Sequence, residues 1–107
     1  PTGSSFTAVT NNGVYDMGAA APMLDNTRLS VRLPIAATIR IIHNGAIMKE
    51  VQDSQTTYMP AETGAYRMEA WLSVDGEQRP WIYANPIYIE KTARLQRSPA
   101  ELRHSGT

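Results

Sequence analysis

Cysteine is absent from the 107 residues, and with it go a disulfide framework, thiolate metal sites and any cysteine nucleophile. Net charge of one sign is absent too. Ten basic side chains balance ten acidic ones, so no overall field favours nucleic acid or an anionic membrane as a partner. Long apolar runs are missing, since Arg, His, Asn or Pro interrupts every hydrophobic stretch well short of a spanning helix, and a soluble chain is expected. Asparagine never sits in a glycosylation sequon. The first residue is Pro1, without methionine or a signal-like segment, which is the start expected of a stretch cut from a longer polypeptide.

What is present is the composition of one folded domain: 42% hydrophobic residues and 19% charged ones. Asn12-Gly13, Asn44-Gly45 and Asp75-Gly76 each lie between segments of strand character, the strongest local hairpin signal. Around them the expected strands are 6–10 and 14–17, 38–43 and 46–51, then 65–74 and 79–83. Residues 28–33 alternate strictly, with Leu29, Val31 and Leu33 inward, and Pro34 ends that strand. Residues 66–74 alternate again, with Tyr66, Met68, Ala70, Leu72 and Val74 inward and Arg67, Glu69, Trp71 and Ser73 outward. Pro86 opens a last strand, 87–90.

Seven or eight short antiparallel strands with turn signals about every ten residues predict an all-β, immunoglobulin-like sandwich over residues 1–92. Residues 93–107 form a polar tail. There Ser98-Pro99-Ala100-Glu101 has the pattern of a capped helical turn, with a linker as the equal alternative.

Gly64 before Tyr66 suits a tyrosine corner, in which a phenol hydroxyl bonds back to the backbone just upstream. Trp71, Arg79, Trp81 and Tyr83 fall on strands paired across the Asp75-Gly76 turn and, with Arg67, make a candidate interface patch. Asn85-Pro86-Ile87-Tyr88 matches a peptide motif that binds phosphotyrosine-binding domains when it is disordered. At a strand boundary Asn85 is instead expected to cap a turn through its own backbone. His43, at a hairpin end, is expected to be solvated. His43 and His104 have no carboxylate pair at ligand spacing, serine lacks a nucleophile elbow and glycine lacks a phosphate-cradling run. No catalytic or metal-ligating residue and no cofactor is therefore assigned.

Two blocks carry a more specific likeness: Gly64-Ala65-Tyr66-Arg67-Met68-Glu69 and Pro80-Trp81-Ile82-Tyr83-Ala84-Asn85-Pro86-Ile87-Tyr88-Ile89. Together with Leu29 to Pro34 and Ile39 to Gly45, they resemble the C-terminal β-sandwich of hydrolases of the polymerase and histidinol phosphatase (PHP) superfamily, over about residues 28 to 90. Ala84 stands where that family commonly has serine, and Ala65 and Met68 where it has valine. The resemblance implies an accessory domain whose partner is a metal-dependent catalytic barrel preceding it in the same polypeptide. A carbohydrate-binding module using exposed aromatics and an adhesion or assembly domain are the alternatives from other classes.

Overall fold

The computed structural model describes residues 3–91, so the serine-capped turn expected at 98–101 and the rest of the tail lie outside the described residues. The described chain is all-β. Eight strands run as β1 (Ser5–Thr10), β2 (Gly13–Asp16), β3 (Ala20–Pro22), β4 (Arg28–His43), β5 (Ala46–Tyr58), β6 (Gly64–Val74), β7 (Glu77–Tyr83) and β8 (Ile87–Glu90). They share one ladder, β2-β1-β4-β6-β8-β3, with β5 on the free edge of β4 and β7 beside β8 on β6. The sheet curves almost into a barrel, the layering of a small β-sandwich.

Strand β4 organises the molecule. Its first half pairs with β1 and the end of β5, and its second half pairs with β6 and the start of β5. Alternation places Leu29, Val31, Leu33, Ala37, Ile39 and Ile41 in the core, against Phe6 and Ala8 of β1, Met68 and Ala70 of β6, and Ile87 and Ile89 of β8. Every one of these is no more than 5% exposed.

Pro34 does not end the strand. The chain stays extended through it, but four residues, 33–36, stand opposite Ser54 alone, between the pairs Arg32↔Gln55 and Ala37↔Asp53. Proline has no N–H to give the ladder, so pairing lapses there and the surplus residues bend the β4–β5 ribbon. Asp53 Oδ1 accepts the N–H groups of Ser54 (2.6 Å) and Gln55 (3.4 Å), which holds the same bend on β5.

Two expected turns form as two-residue loops with both residues at positive φ: Asn44 (52°) with Gly45 (77°), and Asp75 (53°) with Gly76 (80°). The first hairpin turns one residue earlier than its dipeptide suggests. Thr10 pairs with Gly13, leaving Asn11-Asn12 as the loop, and Thr10 Oγ1 takes the Asn12 N–H at 3.0 Å.

One pairing departs from the antiparallel expectation: β3 lies parallel to β8, with Ala21 opposite Ile89. Nearly the whole domain separates the two strands in sequence, so no hairpin constrains their direction. Gly18 N–H to Pro86 O (2.7 Å) and Tyr88 N–H to Ala19 O (3.0 Å) tie them together. The loop that returns from β3 to β4 is clamped by Thr27, 2% exposed, whose hydroxyl donates to Pro22 O (2.8 Å) and accepts from Leu24 N–H (2.7 Å).

Candidate functional site

The outer face of the strands β5-β4-β6-β7 carries the most organised set of polar and aromatic side chains. On β4 and β6 the register sets Thr38 opposite Trp71, Arg40 opposite Glu69 and Ile42 opposite Arg67. Residues on this face therefore form rows across the sheet.

Two one-residue bulges decide which side chains reach it. An unbroken ladder from the Asn44-Gly45 turn would set Arg40 against Lys49 and bury Glu50 beside Ile39. Instead the register slips at Met48, so that Arg40 faces Glu50 and Ile39 faces Val51. The slip replaces a like-charge pair with an ion pair and returns an apolar side chain to the inner face. On β7 the slip falls at Trp81. Pro80 pairs with Trp71, Ile82 with Ala70 and Tyr83 with Glu69, which lifts Tyr83 onto the outer face.

The resulting cluster is tightly linked. Arg40 Nε donates to Glu50 at 2.5 Å, and its guanidinium carbon lies 5.2 Å from the centre of the Trp71 ring. Trp71 Nε1 donates to Glu69 at 3.1 Å, and Arg67 donates to the other Glu69 oxygen at 2.6 Å. Tyr83 meets Trp71 edge-on, with centroids 6.2 Å apart at 88°. Burial pushes the Glu69 carboxyl up, but bonds from Arg67 and Trp71 and the nearby charges of Arg67 and Arg40 outweigh it. The group sits below the ordinary glutamate range. Above this framework Tyr83 remains 61% exposed.

Of the expected patch, then, Arg67, Trp71 and Tyr83 come together. Arg79 and Trp81 do not. Arg79 pairs with Leu72, whose side chain packs on the core, and binds Glu77 at 3.1 Å near the hairpin tip. Trp81 is the bulge residue and is half-buried against the core. Sequence reasoning missed Arg40, Glu50 and Glu69 as members. Arg40 arrives from β4 through a long-range register that no turn defines, and Glu50 faces it only through the Met48 bulge. Glu69, already outward by alternation, gains its role from Arg67 and Trp71 on either side.

The structural residues form a second cluster. The Tyr66 hydroxyl donates to Glu62 O at 2.6 Å, the bond expected of a corner tyrosine. Burial raises the phenol above its ordinary pKa against the pull of that bond. His43 is not solvated. It is 4% exposed and stacks on Tyr66 with centroids 4.1 Å apart and planes 9° from parallel. Its Nδ1 lies 3.0 Å from Ala65 O, so that nitrogen carries the hydrogen, and Asn44 Nδ2 approaches Nε2 at 3.3 Å. Gly64, at φ 125°, lets the chain pass the imidazole: a β-carbon there would lie 2.7 Å from His43 Cε1. Asn85 is exposed, and its side chain makes no hydrogen bond among the described residues. The Pro86 carbonyl, not the asparagine, anchors that corner by taking the Gly18 N–H.

Among the described residues no three His, Asp or Glu side chains are placed to hold a metal ion. No family model matches this chain, and no curated protein or solved structure does. What the outer face can do is read from its own residues.

Proposed function

We propose that this is a non-catalytic docking domain that uses the outer face of β5-β4-β6-β7 to hold a catalytic domain of the same polypeptide. The observation that carries the reading is the Arg40–Trp71–Tyr83 cluster. Arginine, tryptophan and tyrosine are the residue types that anchor interfaces, and here Glu50 fixes Arg40 and Glu69 fixes Trp71, with Tyr83 packed edge-on against that ring, before any partner arrives. The sheet edges favour docking by face over strand addition. Pro80 and the Trp81 bulge blunt β7, the Met48 bulge, Lys49 and the 33–36 bend blunt β5, and Pro22 closes β3.

The choice of a PHP-type metal-dependent phosphoesterase as that catalytic domain rests on the resemblance of residues 64–69 and 80–89. The immunoglobulin-like character of the sandwich belongs to the same reading, supported by the Tyr66 corner bond. A sugar platform is less well served: Arg40 covers a face of the Trp71 ring and Tyr83 meets it edge-on, leaving no broad aromatic plane for a pyranose.

The test is association of the 107-residue chain with the remainder of its reading frame, expressed separately. Binding that weakens about thirtyfold or more in Trp71→Ala, the scale of an interface anchor, is expected. A reading frame with no metal-dependent barrel, or binding indifferent to Trp71→Ala and Tyr83→Ala, overturns it.

A further inference from the structure

The bend in the β4–β5 ribbon, which shares no residue with the Trp71 face, creates a second feature. Its concave side is a polar groove of about 450 Å³ lined by Ser30, Arg32, Lys49, Asp53, Gln55 and Thr57 among others. That volume lies inside the roughly 300–1,000 Å³ typical of small-molecule sites.

The charges in the groove differ from those elsewhere on the sheet. Arg40, Arg67 and Arg79 each contact a glutamate. Arg32 and Lys49 contact no carboxylate among the described residues. Lys49 Nζ gives one hydrogen to Thr57 O at 2.7 Å, which fixes the ammonium over the groove and leaves two donors. Asp53 is committed through Oδ1 to the backbone of the bend. Two cations without carboxylate partners thus converge on a cleft walled by hydroxyl and amide side chains.

We propose that this groove binds an oxyanion carried on a small hydroxylated scaffold, the chemistry shared by sugar phosphates and sugar carboxylates. Arg32 supplies the planar fork that matches a phosphate or carboxylate, and Lys49 supplies a point charge beside it. Ser30, Thr57, Gln55 and the remaining Asp53 oxygen pair with the ligand's hydroxyls. The site depends on the bend, because a straight hairpin would leave Arg32 and Lys49 apart along one flat ribbon.

Amide chemical shifts followed during titration of the folded chain test this. The probes are glucose 6-phosphate, glucuronate, inorganic phosphate and glucose. Expected are shifts at residues 30–32, 49 and 53–57 with glucose 6-phosphate or glucuronate, with whichever binds tighter naming the anion class. Glucose should give none and inorganic phosphate weaker binding. Arg32→Gln and Lys49→Gln should each weaken binding about tenfold or more. No shift with either charged sugar, or shifts unchanged in the doubly substituted R32Q/K49Q chain, overturns the proposal. Failure here leaves the docking face untouched, since Trp71→Ala reads that face alone.

Discussion

Replacing Gly64 with alanine tests the corner that joins β4, β6 and the preceding loop. Two costs can be worked from the structure. The backbone sits at φ 125°, a region essentially reserved for glycine, so any side chain there is strained by about 1–3 kcal/mol. The added carbon would also meet His43 Cε1 at 2.7 Å. The imidazole cannot swing aside without giving up its bond to Ala65 O and its stack on Tyr66, so overpacking adds about 1–3 kcal/mol. Gly64→Ala should therefore destabilise by about 2–6 kcal/mol, a large share of the stability of a domain this size. Urea unfolding followed by tryptophan fluorescence measures it. The second arm is His43→Ala. In the double variant the clash is gone and only the backbone strain remains, so the combined cost should fall short of the sum of the singles by about 1–3 kcal/mol. A Gly64→Ala chain within about 0.5 kcal/mol of the parent, or strict additivity with His43→Ala, refutes the reasoning.

Other consequences are as direct. Thr27→Val keeps the shape of a buried side chain but leaves Pro22 O and Leu24 N–H without their partner, and should cost about 1–3 kcal/mol in chemical unfolding. Glu69 has a folded pKa below its ordinary value of 4.5, so its ionised form contributes stability that is complete above that value. As pH falls below it towards the depressed folded pKa, that contribution disappears, and Glu69→Gln should flatten the loss in acid unfolding curves. Tyr66 has the opposite sign: its raised phenol pKa means stability present below the ordinary 10.0 and lost as pH rises through the folded value, a limb that Tyr66→Phe should remove.

Much of the fold is written locally. Alternation at 28–33 and 66–70 names the core face, and Asn44-Gly45 and Asp75-Gly76 name two turns, because each signal depends on neighbours within a few residues. What escapes is set by distant partners. Strand β3 is three residues long and gains its identity only from β8. Tyr66 reads as a corner residue, but the burial of His43 depends on its stacking partner 23 positions away, 43 to 66, across the sheet. At the site, Trp71 and Arg67 are legible from alternation on one strand. Arg40 stands beside Trp71 through the unbroken β4–β6 register, whereas Glu50 and Tyr83 join through the bulges at Met48 and Trp81. The register set by the Asp75-Gly76 turn puts Arg79 opposite Leu72, and Trp81 is left over as a bulge residue. Each bulge reconciles a turn-defined register with the need to bury Val51 or Ile82, and that conflict is visible only once the strands are paired.

The most direct measurement of the docking account is the solvent accessibility of Trp71 in the isolated chain and in its complete polypeptide. With Trp81 replaced by phenylalanine, acrylamide quenching of the remaining tryptophan reads that one ring. The account predicts ready quenching in the isolated chain and marked protection in the complete polypeptide, with protection lost in parallel with association in Tyr83→Ala. Equal quenching in both contradicts a docking role for this face.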